Sequence, residues 1–298
     1  MKNRLDSFLF QASQHFDFSI ARFLFFASIF WYLESWMAVS SDFGQWFNVS
    51  GDVYWQPVSF FKIWSSHENP LPPGVVGPIS FLWKISLICC ALGFYFRWFA
   101  PIAFLTGLLI LGLPLNFGKI HHSNHMIVVI MGILAFAKYP GIFSIGQFVN
   151  TGLLKKSGYP DSSSEYNWPV KTIWIYMSLV YFAAGFQKLR HSGLEWVFSD
   201  NMATIILTRP NVPELGKLVA SSEFLCRFFA LMTIIVELLF FTALFSKWAR
   251  LFFVPAAFLM HLSINLIIGV HGNFTPYLFC FIWWVPWRAI FPFRRGKI

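Results

Sequence analysis

The sequence predicts an all-α integral membrane protein, a bundle of about eight transmembrane helices. Three observations carry this. Of the 298 residues, 57% are hydrophobic and only 12% charged, about half the ~25% charged share with which a soluble domain solvates its surface. Mean hydropathy is +0.60. Apolar stretches of close to 20 residues recur along the chain, the length a helix needs to cross a hydrocarbon core about 30 Å thick. The 38 Phe and 14 Trp fit the same picture, Phe on lipid-facing and inter-helix surface and Trp at the headgroup level.

Taken in order, the spans are expected at approximately 18–39, 79–98, 100–117, 123–139, 169–187, 224–245, 249–270 and 274–291. Arg97 and Pro101 separate the second from the third. The fourth is short and opens with polar residues, which leaves its crossing open. Residues 141–156 read as an interfacial helix ending in Lys155 and Lys156. Residues 40–78, with four prolines, and 157–167 read as polar connections, and Asn201–Thr208 as a short surface helix. The length suits one bundle, so residues 1–298 are read as a single domain. Phe18–Val39 is too long for the apolar core of a cleavable signal.

A net charge of +9 would point to nucleic acid in a soluble protein. Here no basic run interleaved with aromatics occurs, and the charge is better explained by topology. With the amino terminus inside, the larger share of the 22 Lys and Arg falls on the inner side, most densely at Arg294, Arg295 and Lys297. Positive residues collect on the cytoplasmic face, so both termini are expected there, with the bacterial inner membrane as the expected location. Cys89, Cys90, Cys226 and Cys280 lie in apolar stretches without CxxC or Cys/His spacing, which reads as buried small hydrophobes. The run from His121 to His125 lacks the carboxylate of HExxH, so no metal is expected.

Ionisable or polar groups inside spans are expensive and point to function by default. Those here are Glu34, Lys84, Asn124, His125, Lys188, Glu237, His261, Asn265 and His271. In the expected topology Asn124, His125, Lys188 and His271 lie towards the outer side. His261 and Asn265 stand four apart and share a helix face. Lys188 directly follows an apolar helix. Burial of its amine, with no carboxylate to hold it, would make it a general base. The alternative reading of Lys188 is a helix-end anchor at the headgroups.

Three stretches carry a resemblance to a known family. They are Tyr181–Leu189 (YFAAGFQKL) followed by Glu195 and Trp196, the Asn124–His125 pair before an apolar run, and Leu251–Asn265 (LFFVPAAFLMHLSIN) followed by Gly272–Tyr277. Together, over roughly Phe18 to Trp287, they resemble the HTTM superfamily, which includes vitamin K-dependent γ-glutamyl carboxylase. The resemblance implies that Lys188 matches the lysine that deprotonates a reduced quinone. Asn124 and His125 would assist that deprotonation, and His261 would match a family histidine. Glu237 falls where the family has an acidic residue. In the carboxylase, oxygen converts the quinol to an epoxide, glutamate loses its γ-proton and carbon dioxide traps the carbanion.

This sequence departs from the carboxylase in one respect. The carboxylase has a large lumenal domain after its helices, whereas 11 residues follow Trp287 here. Carboxylation of a protein substrate by this chain alone is therefore not expected. The expected function is a carboxylase-like membrane enzyme acting at the outer face on a quinone or other lipid-soluble substrate, of the lyase or epoxidase type. Its implied cofactor is a reduced quinone and its implied partners are the lipid bilayer and a small secreted peptide or second protein. The rival reading is a non-enzymatic accessory membrane protein for maturation or export of a secreted peptide.

Overall fold

Long apolar runs can satisfy their backbone amides in lipid only within helices, and in the computed structural model the described chain is helical nearly throughout. The structure describes residues 2–36, 55–69, 71–117, 124–141, 160, 162–209, 211–269 and 275–291. Among these the helices are α1 (Lys2–Phe10), α2 (His15–Trp36), α3 (Pro73–Leu92), α4 (Phe96–Gly112), α5 (His125–Ala135) and α6 (Trp168–Ser192). The short α7 (Glu195–Phe198), α8 (Asn201–Leu207) and α9 (Glu214–Ala220) follow. The chain continues with α10 (Glu223–Leu239), α11 (Lys247–Ser263), α12 (Thr275–Cys280) and α13 (Trp287–Ile290). A two-residue antiparallel bridge, Ser13–Gln14 with Ser162–Ser163, is the extended structure among them.

Four helices are long and apolar enough to cross a membrane: Gly74–Leu92, Phe96–Phe117, Glu223–Leu244 and Lys247–Ile268. The chain is therefore read as a multi-pass membrane protein. In the last of these only 22% of the apolar window is buried, and Leu251, Phe252 and Leu259 stand more than half exposed. Such an apolar surface suits lipid and not water.

The expected eight spans are not reached among the described residues. The 123–139 stretch is helical only over the 11 residues of α5, about 16 Å and well short of the core thickness. The 274–291 stretch is broken into α12, a 3-10 turn at Phe281–Trp284 and α13. The second and third spans part at Gly93, not at Pro101. Gly93 adopts φ 67°, its N–H bonds to Cys90 and that of Phe94 to Cys89, which closes the left-handed glycine cap of α3. Pro101 instead lies inside α4. Residues 142–156, the 121–122 histidines, His271 and the C-terminal basic residues lie outside the described residues.

Contacts divide the chain into two compact units, Met1–Lys171 with Val285–Ile298, and Thr172–Trp284. In the first, α2, α3, α4 and α5 pack around Phe25, Phe26, Trp83, Leu87, Ile130 and Met131, all buried. A Cβ on Gly107 would lie 2.6 Å from Met131 and 2.9 Å from Trp83, so this glycine lets α4 close on its neighbours. Arg22 of α2 is wholly buried. Its guanidinium donates to the carbonyls of Pro140 at 2.7 Å and Ala91 at 2.8 Å, and to that of Cys90. Cys90 and Ala91 belong to the last turn of α3, where the helix dipole favours a cation.

In the second unit α10 and α11 form an antiparallel hairpin. Serine caps open both helices: Ser222 accepts from the N–H of Leu225, and Ser246 from that of Ala249. A π turn, Ile264–Ile268, extends α11. The short helices α8 and α9 pack on it and on α10 through Ile206, Val219, Cys226 and Ile267.

Candidate functional site

The second unit concentrates its polar groups where α6, α10, α11 and α12 meet. On α6, Tyr181, Gly185 and Lys188 follow one another at spacings of four and three and so lie on one face. Gly185 sets the approach of α10. A Cβ there would meet Glu237 Cβ at 2.9 Å and the Leu238 backbone nitrogen at 3.1 Å. Tyr181 stacks on Phe240 with ring centres 4.5 Å apart. Pairing Tyr181 with Phe240 and Gly185 with Glu237 makes α6 and α10 antiparallel.

This approach places Glu237 beside Lys188. Lys188 Nζ donates to both carboxylate oxygens at 2.7 Å. The Glu237 side chain is 9% exposed and that of Lys188 23%, so the acid is enclosed while the amine keeps an open side. The Trp196 ring lies 5.4 Å from Nζ, adding cation–π attraction to the ammonium. The expectation of a lysine without a carboxylate is thus overturned. In a low-dielectric interior an ammonium is tolerated when paired, and Gly185 gives Glu237 the room to pair with it.

Below this pair sits a second polar group. His261 Nε2 is hydrogen-bonded to the Tyr181 hydroxyl at 2.6 Å, and the imidazole stacks on Tyr277 of α12 at 4.8 Å with planes 9° apart. His261 is 6% exposed and Asn265, on the π turn, 8%. Asn265 Oδ1 is buried and has no hydrogen-bond partner among the described residues.

Of the four residues singled out in the sequence, Lys188 and His261 thus belong to one unit, and His261 bonds to Tyr181, which shares a face of α6 with Lys188. Asn124 and His125 belong to the first unit. Asn124 precedes α5 and its carbonyl accepts from the N–H of Val128 at 3.1 Å. Its side chain does not cap the helix, and its Oδ1 is buried without a hydrogen-bond partner among the described residues. His125 opens α5 and is exposed. Among the described residues no group of three His, Cys, Asp or Glu is placed to hold a metal ion.

Sequence reasoning missed Tyr181 and Tyr277 as partners of His261, and Glu237 as the partner of Lys188. For Glu237 a signal existed, since an acid inside an apolar helix requires a counter-charge. For the tyrosines none did, because Tyr181 and His261 stand 80 residues apart.

Chemically, the cluster can hold and move protons. An ammonium hydrogen-bonded to both carboxylate oxygens can pass a proton to them, after which its lone pair accepts one from a ligand. His261 and Tyr181 form a second donor–acceptor couple. Compared with protein-family models, with curated proteins and with solved structures, the chain finds no match in any of the three.

Proposed function

We propose that the chain is a membrane-embedded enzyme that takes a proton from the hydroxyl of a lipid-soluble, quinol-type substrate, with Lys188 as general base. The observation that carries this reading is the Lys188–Glu237 pair, in which the carboxylate is enclosed and the amine is open on one side. As an ammonium, Lys188 can donate but not accept. When one proton moves to Glu237, an amine remains, and Nζ can take up a hydroxyl proton. Glu237 is then the group that holds the amine in place and stores its proton.

A reduced quinone fits these surroundings. Flat rings line the polar groups, with Trp196 beside Nζ and Tyr277 against His261, and such surfaces stack on another flat ring. When bound, a reduced quinone would supply an oxidisable hydroxyl, and the resemblance to the vitamin K-dependent carboxylase extends the reading to epoxide-forming chemistry. In the same proposal His261 orients the hydroxyl; Asn124 and His125, to which the resemblance gives an assisting role, belong to the first unit. The further spans are α2 and α6, and both termini face the cytoplasm. Reporter fusions at Ile298 would report inside, and an external signal would reverse that orientation.

The test of the reading is mass spectrometry of lipids extracted from detergent-purified protein. A quinone is expected with wild type and is expected to diminish in Glu237→Ala, where the amine loses its support. A wild-type preparation carrying no quinone, and taking none up when supplied, would remove the quinol assignment.

A further inference from the structure

Asn265, one turn beyond His261 on α11, is a polar side chain more than nine-tenths buried with an acceptor left over among the described residues. It is 8% exposed, and no described residue donates to its Oδ1. A buried carbonyl oxygen without a donor is costly, and a bound ligand is one way in which the missing bond is supplied. Its backbone setting agrees. Ile264–Ile268 is a π turn, a distortion that concentrates at functional sites. The turn is fastened from behind. A Cβ on Gly216 of α9 would collide with the Ile267 carbonyl, and one on Gly269, at φ 69°, would meet the Asn211 carbonyl at 3.0 Å.

The level of Asn265 follows from helix directions. α6 runs antiparallel to α10, and α10 antiparallel to α11, so α6 and α11 run in parallel. His261 is level with Tyr181, to which it bonds. Four residues further along each helix, about 6 Å, stand Asn265 and Gly185. Gly185 is the residue packed against Glu237. Asn265 therefore lies one turn beyond His261, towards the level of the Lys188–Glu237 pair.

We infer that Asn265 is a specificity-determining residue that accepts a hydrogen bond from the ligand. The ligand class is then narrower than a lipid-soluble ring. It must carry a hydrogen-bond donor, and on the quinol reading that donor is a hydroxyl, so the site selects the reduced, hydroxylated form of a quinone over its oxidised or ether-blocked form. This rests on the proposed quinol reading. A site built around an acceptor rejects an analogue lacking the donor, because the acceptor then stays buried and unmet.

The test uses the full-length protein in detergent and two probes, 2-methyl-1,4-naphthohydroquinone under anaerobic conditions and its dimethyl ether. Wild type is expected to bind the diol at least about tenfold more tightly than the diether, as one unmet buried acceptor implies. Asn265→Leu is expected to shrink that ratio severalfold. Without any probe, the melting temperature of Asn265→Leu should equal or exceed that of wild type, since an apolar side chain removes the unmet acceptor. A lower melting temperature would make Asn265 a structural residue and overturn the inference, whatever binds. Equal binding of diol and diether by wild type would overturn the role of Asn265 alone. Binding of neither probe would overturn the quinol reading and this inference with it.

Discussion

Each unit holds a cation among its helices, one buried and one half-buried, and they satisfy it in different ways. In the first, Arg22 is fully enclosed and donates to the carbonyls of Pro140, Cys90 and Ala91. In the second, Lys188 keeps 23% of its side chain exposed and meets a carboxylate. A guanidinium stays protonated at any working pH, and the Pro140, Cys90 and Ala91 carbonyls that it meets cannot take a proton. Arg22 is therefore a clamp between α2, the end of α3 and the segment after α5. Lys188 faces a group that can take its proton, and it has an open side. Burial of charge alone does not mark a functional site. On the proposed reading, what marks one is a partner able to exchange a proton and a face from which a ligand can approach.

The comparison can be broken first at Glu237. Glu237→Ala leaves the ammonium half-buried without a counter-charge and is expected to destabilise the second unit by about 3 kcal/mol, the lower end for a broken buried pair. The combined Lys188→Met, Glu237→Leu variant should recover most of that stability while remaining inactive, because both charges leave together. Urea or thermal unfolding in detergent reads both. A double variant as unstable as the single one would make the pair a structural feature like Arg22.

Arg22→Met sharpens the contrast from the other side. It removes the charge and the guanidinium donor of the Ala91 and Pro140 carbonyls, while the Cys90 carbonyl keeps the Gly93 N–H, at a cost of about 2 kcal/mol. No compensating apolar substitution can restore this, since the acceptors are backbone. Thermal unfolding with a probe in the first unit measures it. A stabilised Arg22→Met would show that the guanidinium is not the clamp described here.

The smallest effect is expected at Gly185. A methyl group there reaches within 2.9 Å of Glu237 Cβ and 3.1 Å of the Leu238 backbone nitrogen, so Gly185→Ala must part α6 from α10 slightly. The expected cost is about 1 kcal/mol of stability, with a larger loss of activity as the pair lengthens. Activity beside a melting curve separates the two. Unchanged activity would mean that the position of Glu237 is not set by this contact.

Much of the fold was legible because lipid leaves a helix few alternatives. Four of the expected stretches are membrane-length helices, and Asn201–Leu207 is a short helix where one was expected. Boundaries were less legible where two breakers competed. Pro101 sits inside α4, while Gly93 ends α3 through a left-handed turn that glycine adopts readily. Length misled at 123–139, where hydropathy continues beyond the 11 residues that are helical. At the site, the His261–Asn265 spacing was legible because helical neighbours are periodic. The Lys188–Glu237 and His261–Tyr181 contacts were not, because they join residues 49 and 80 positions apart and depend on how helices dock.

The central claim is that Lys188 acts by giving up and taking a proton, and Lys188→Arg tests it most directly. Arginine keeps the positive charge and can still pair with Glu237, but its guanidinium does not deprotonate. The measurement is oxygen-dependent conversion of a reduced naphthoquinone to its epoxide, followed by chromatography. It compares membranes containing wild type, Lys188→Arg or Lys188→Ala with membranes lacking the protein. The account predicts that Lys188→Arg is expressed and melts close to wild type yet shows, like Lys188→Ala, activity reduced by a factor of about 10²–10⁴. Full activity in Lys188→Arg would show that only the positive charge matters and would contradict the general-base assignment.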